Sequence, residues 1–95
     1  MIKIVARRRI KPECEDEYIK LALEMMEASN AEEGCLGYSL NRSQEDEHLF
    51  AVIEYWRDQA AIEAHNASAH FKRIVPQYDA FTAEKYPVEH YVEVG

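Results

Sequence analysis

Leu49-Phe50-Ala51-Val52-Ile53-Glu54-Tyr55-Trp56-Arg57-Asp58 is the stretch on which the fold turns. In an extended chain Phe50, Val52, Glu54 and Trp56 share one face, and Leu49, Ala51, Ile53 and Tyr55 share the other. Both faces are largely apolar, so this strand is predicted to be covered on two sides. Asp58 then reads as a helix N-cap before Gln59-Ala60-Ala61-Ile62. Upstream, Ser43-Gln44-Glu45-Asp46-Glu47 is a polar turn, and a strand over residues 36–42 completes a hairpin.

Outward from the hairpin the pattern continues. Ile2, Ile4, Ala6, Arg8 and Ile10 alternate with Lys3, Val5, Arg7 and Arg9, which is a first strand. Pro12 stops it, and Glu13-Cys14-Glu15-Asp16-Glu17 opens a helix, where carboxylates meet the positive end of the dipole. Tyr18, Ile19, Ala22, Leu23, Met25 and Met26 fill one arc of that helix; Asp16, Lys20, Glu24 and Glu27 fill the other. The methionines read as core filler. Gly34 and Gly37 break the chain after the helix. On the far side, Ser68 is a second N-cap after a break at Asn66-Ala67-Ser68, and Pro76 divides the helix that follows. Residues 84–94 alternate again as a last strand, with Pro87 placing its start at an edge. The order β-α-β-β-α-β, with a broken second helical region, predicts a ferredoxin-like α+β fold on an antiparallel four-stranded sheet.

Ninety-five residues make a single domain, 1–95, whose small core favours oligomerisation. Helices cover one sheet face, and a second copy of the chain is the natural cover for the other. A net charge of −7, from 18 acidic against 11 basic residues, argues against nucleic acid. The one basic run, Arg7-Arg8-Arg9, splits between opposite strand faces, leaving one arginine buried or interfacial. No run of eighteen apolar residues and no signal-peptide pattern is present, so no membrane role is expected and a cytoplasmic setting is. Cys14 and Cys35 match no metal or redox spacing and are expected as reduced thiols.

The chain resembles the antibiotic biosynthesis monooxygenase domains of the dimeric α+β barrel superfamily, nearly end to end. The resemblance rests on Glu33-Gly34-Cys35-Leu36-Gly37-Tyr38 entering the second strand, Glu54-Tyr55-Trp56 ending the third, and His65, Ser68, His70 and Phe71 around the helix break. It implies a homodimer joined through the sheet faces, each subunit holding its own pocket between sheet and helices. Family chemistries include metal-free and flavin-free oxidation of quinols, isomerisation of small signalling sugars, and haem degradation. The haem branch uses an asparagine and a histidine where this chain has Ala6 and Ile74, keeping only Trp56, so haem is not expected. No cofactor and no metal are expected either.

Glu54, His65 and His70 are the candidate catalytic residues. A carboxylate among Phe50, Val52 and Trp56 needs partners or a raised pKa. It reads either as a base or as a buried pair, with Arg8 or a helix end as partner. His65 and His70 are five apart, which a continuous helix would set on different faces; the break lets both face one pocket. Either is poised to move a proton, and the plain alternative is one capping a helix end while the other is exposed. Two histidines and Glu54 also make an iron-type ligand set, at a spacing unlike any familiar motif. Trp56, Phe71 and Phe50 are expected as pocket walls, with Tyr38, Asn41 and Arg8 as further substrate contacts; each aromatic is equally at home in a core. His48 and His90 are accounted for by exposure or strand packing.

Three functions follow from these residues. The first is a cofactor-independent monooxygenase acting on a quinol or polyphenol, with His65 or His70 as base. The second is an acid–base isomerase of a small carbonyl or phosphosugar substrate, for which Arg8 and Arg42 would hold the phosphate. The third is a non-catalytic dimeric module that binds a small ligand.

Overall fold

A computed structural model describes all residues from Met1 to Gly95. The chain runs β1 (Ile2–Ile10), a 3-10 turn (Pro12–Cys14), α1 (Glu15–Asn30), β2 (Cys35–Arg42) and β3 (Leu49–Trp56). It continues through α2 (Gln59–Asn66), α3 (Ala69–Ile74), a 3-10 segment (Val75–Phe81), β4 (Thr82–Lys85) and β5 (Glu89–Val92). The antiparallel sheet is ordered β2-β3-β1, with β4 and β5 both paired to the outer edge of β1. The expected single last strand is therefore two short ones. Proline has no N–H to give a ladder, and Tyr86-Pro87-Val88 separates the two pieces.

Register decides what lies beside what. Ile4 of β1 stands opposite Glu54 of β3, and Tyr38 of β2 stands opposite Glu54 on its other side. His90 of β5 pairs with Ile4. One row across the sheet thus reads His90, Ile4, Glu54, Tyr38. Four residues along the strands, a second row carries Arg8, Phe50 and Arg42.

On β3 burial alternates without exception, with Phe50, Val52, Glu54 and Trp56 buried beneath the helices. Their neighbours Leu49, Ala51, Ile53 and Tyr55 are half-buried on the opposite face. Two apolar clusters form between sheet and helices. One joins Tyr18, Ala22 and Met25 of α1 to Ile10, Phe50, Ile74 and Tyr78. The other joins Ile4 and Trp56 to Ala61 and Ile62 of α2. Tyr38 packs against both. Leu23, expected on the inner arc of α1, is exposed; the buried stripe is Tyr18, Ala22, Met25 and Ser29.

Both predicted caps are present. The Asp58 side chain accepts the Ala61 amide N–H at 2.9 Å, and that of Ser68 accepts the Phe71 amide N–H at 3.2 Å. Ser68 also donates its hydroxyl to the His65 carbonyl at 2.7 Å, which pins the turn between α2 and α3. The loop after α1 is held by the Arg57 amide N–H on the Gly34 carbonyl at 2.9 Å. Gly34 lies so close to α2 that an added Cβ would come within 2.4 Å of the Ala61 Cβ. Only a residue without a side chain allows that approach. No helix is long and apolar enough to cross a membrane. Cys14 and Cys35 are free.

Candidate functional site

A cavity of about 280 Å³ lies between the two apolar clusters. That is at the small end for ligand pockets and suits one aromatic ring with substituents. Ten of its fifteen lining residues are hydrophobic, and its polar groups include Glu54, His65 and Arg8. Tyr38 and Phe71, both expected at a substrate, also line it.

His65 is 3% exposed, held at the end of α2 against Trp56 (ring centroids 4.4 Å) and Phe71 (5.2 Å). The break at Ala67-Ser68 brings His70 back toward it, with ring centroids 6.0 Å apart. What joins the two histidines is Glu32. Its Oε2 lies 2.6 Å from His65 Nδ1 and 2.8 Å from His70 Nε2. A carboxylate only accepts, so both imidazole nitrogens donate to it. With Nδ1–H committed to Glu32, neutral His65 carries its lone pair on Nε2. That nitrogen stands 3.9 Å from Glu54 Oε1. Burial lowers the pKa of His65, against the pull of Glu32, and favours the neutral ring.

Glu54 has the opposite shift. Burial raises its pKa to about 7, the Trp56 indole N–H donated to Oε1 at 2.8 Å works against the rise, and the charge of Glu32 adds to it. Near neutral pH this carboxyl is thus poised between acid and carboxylate. Burial also raises the pKa of the Tyr38 hydroxyl, which stays a neutral phenol. The site therefore combines a fixed neutral base, a carboxyl near its titration point and an apolar chamber.

Several expected residues lie elsewhere. Arg8 is not the partner of Glu54: the register sets it opposite Phe50, and it bonds Asp79 and Thr82 instead. Phe50 is packed edge-on against Tyr18 at 5.2 Å, in the core rather than on the cavity wall. Trp56 sits behind the wall and acts through Glu54 and His65. Asn41 is on the outer face, its amide bonded to Ser39 and to the Ala51 carbonyl, because β2 alternation turns Leu40 inward and Asn41 away. Arg42 stacks on Phe50 and pairs with Glu15, outside the cavity lining, so Arg8 is the one arginine at the site.

The histidines do offer metal-type donors, but with Glu32 rather than Glu54: Glu32, His65 and His70 present ligand atoms within 4.8 Å of one another. Glu54 faces the other nitrogen of His65. The 2.6 and 2.8 Å separations are hydrogen-bond lengths, shorter than two donors keep across a shared ion. Glu32 itself was invisible to pattern. It lies 33 residues before His65, in an acidic turn that reads as solvated, and only the neighbouring Gly34 hints at a close approach.

Residues 1–77 match the sequence profile of a family described as antibiotic biosynthesis monooxygenase. A protein of Bacillus subtilis (strain 168) named "Putative monooxygenase YcnE" is 37% identical over 75 residues, covering 79% of this chain and 79% of its own. A crystal structure described as an antibiotic biosynthesis monooxygenase superposes over the whole of both chains, with 37% identity and a TM-score of 0.93. A conserved protein from Methanosarcina mazei Go1 gives a TM-score of 0.91 at 29% identity, covering 95% of this chain and 89% of its own.

Proposed function

The chain belongs to the antibiotic biosynthesis monooxygenase family, and from that premise we propose that it oxidises a small electron-rich aromatic, a quinol or polyphenol, with dioxygen. His65 Nε2 removes a phenolic proton. The resulting anion gives an electron to dioxygen, the two radicals combine at a ring carbon, and loss of water leaves a hydroxylated quinone. For a simple hydroquinone, each molecule consumes one dioxygen and yields one hydroxyquinone and one water. One oxygen atom enters the ring and the other leaves as that water, so the substrate is its own reductant. Glu32 fixes the tautomer that makes Nε2 a base, as a carboxylate behind an imidazole does in hydrolases. It also spreads the positive charge formed on His65. Protonated Glu54 donates to the departing oxygen, and the apolar walls keep water from the anion.

The observation that supports this reading best is His65 lining an apolar cavity, with its Nδ1 bonded to Glu32 and its Nε2 3.9 Å from Glu54. An isomerase of phosphorylated sugars would need a pocket rich in arginine and lysine, and Arg8 is the only such residue lining this one. A second copy of the chain, in this proposal, covers the outer sheet face around Leu49, Ala51, Ile53 and Tyr55, leaving each subunit its own cavity. The test is oxygen uptake with a panel of hydroquinones, corrected for autoxidation, for the protein and for His65→Ala. Uptake that depends on His65 is the expected result. No uptake above background, or full activity in His65→Ala, rejects the proposal.

A further inference from the structure

Arg8 is a cation set where the proposed reaction does not use one. Its side chain is 13% exposed and lines the cavity, four residues along β1 from the row that holds Glu54. Arg8 and Ile4 lie four residues apart on one strand face, and Ile4 marks the Glu54 row. Four strand residues span about 13 Å. Side chains reaching inward from both ends leave room for one ring between them.

Three observations show that the Arg8 end of the cavity is open to an anion. The guanidinium is only loosely neutralised: Asp79 stands 3.4 Å away, and its own side chain is 72% exposed. The Tyr78 ring lies under the guanidinium at 5.2 Å and also lines the cavity, which holds the cation at the cavity wall. Finally, the cavity adjoins a second hollow that shares Arg8, Asn66, Phe71 and Val75 and is rimmed by Lys72 and Lys85, with Asp79 its one acid. On a chain of net charge −7 this is a local positive mouth, and such mouths steer anions inward.

We infer that the substrate carries a carboxylate on its ring, gripped by the Arg8 guanidinium while the reacting phenol lies against His65 and Glu54. The inference rests on the oxygenase reading for the identity of the reacting group, but not for the charge of the ligand. An arginine fork matches a carboxylate in two parallel hydrogen bonds. The incoming carboxylate replaces Asp79, which swings into solvent.

Anaerobic titration calorimetry tests this without turnover, using 2,5-dihydroxybenzoate and unsubstituted hydroquinone as probes. The carboxylated ring is expected to bind about ten- to a hundredfold tighter, the range a charge-assisted hydrogen bond supports. Arg8→Gln should abolish that preference, and Asp79→Asn, which only removes the competitor, should strengthen it. Added salt should weaken the carboxylated probe alone. Equal binding of the two probes, binding of neither, or a preference that is no stronger in Asp79→Asn overturns the inference. Selective binding without oxygen uptake in air would leave the anion site standing and remove the oxygenase. Uptake of oxygen with equal affinities would do the reverse.

Discussion

Glu54→Gln separates the free energy of the buried carboxyl from everything else in the site. Glutamine keeps the shape and the oxygen that accepts the Trp56 indole N–H, but cannot ionise. In the native protein the pKa of Glu54 rises from 4.5 to about 7, chiefly because burial disfavours the charged form. The folded state therefore holds its proton where the unfolded chain has released it. Stability from this group is complete below the unfolded value and is lost as pH climbs through the folded one. A rise of about 2.5 units is worth about 3 kcal/mol. His65 shifts the other way: burial lowers its pKa, so its contribution is present above 6.5 and is lost as pH falls through the lowered value. The two slopes overlap, which is why the native pH curve alone is uninformative and the difference between proteins is decisive. Urea unfolding at one fixed protein concentration, from about pH 4.5 to 8, gives that difference. Glu54→Gln should gain about 3 kcal/mol on the native protein across the range, most of it between about pH 5 and 7. Parallel curves would refute the claim that this carboxyl is desolvated.

Three further outcomes are expected. Oxygen uptake with a quinol should rise with pH through a value below 6.5 as His65 becomes neutral and fall through about 7 as Glu54 ionises; Glu54→Gln should lower the plateau about a hundredfold and remove the alkaline limb while keeping the acid one, and an unchanged profile would remove Glu54 from proton transfer. Glu32→Gln should lower kcat about a hundredfold with little change in KM, and adding it to His65→Ala should cost almost nothing more, since the two act as a unit; additive losses in steady-state kinetics would show that they do not. Gly34→Ala should destabilise the fold by about 1–3 kcal/mol in urea, because the new methyl meets the Ala61 Cβ. A neutral result there would mean that the loop carrying Glu32 is not tightly seated on α2.

The first three strands, the caps and the helix break were determined by the sequence itself, because each depends on neighbours within a few residues; the last strand is split in two around Pro87. Alternation over residues 49–56 set which side chains point under the helices, and Asp58 and Ser68 stand where a chain must satisfy free amides. The break does bring His65 and His70 together, but only His65 lines the cavity, so the expectation that both face one pocket does not hold. What pattern could not supply was anything set by register or by contact between distant segments. Whether Glu54 faces Arg8 or Ile4 depends on how β1 slides along β3, and one strand shows no sign of it. Glu32 becomes the carboxylate shared by two histidines only because Gly34 lets its loop close onto α2. Phe50 and Trp56 carry the same inward signal as Glu54, yet packing makes one of them core and the other a prop. Local chemistry chose the elements, and three-dimensional closure chose which of their side chains became a site.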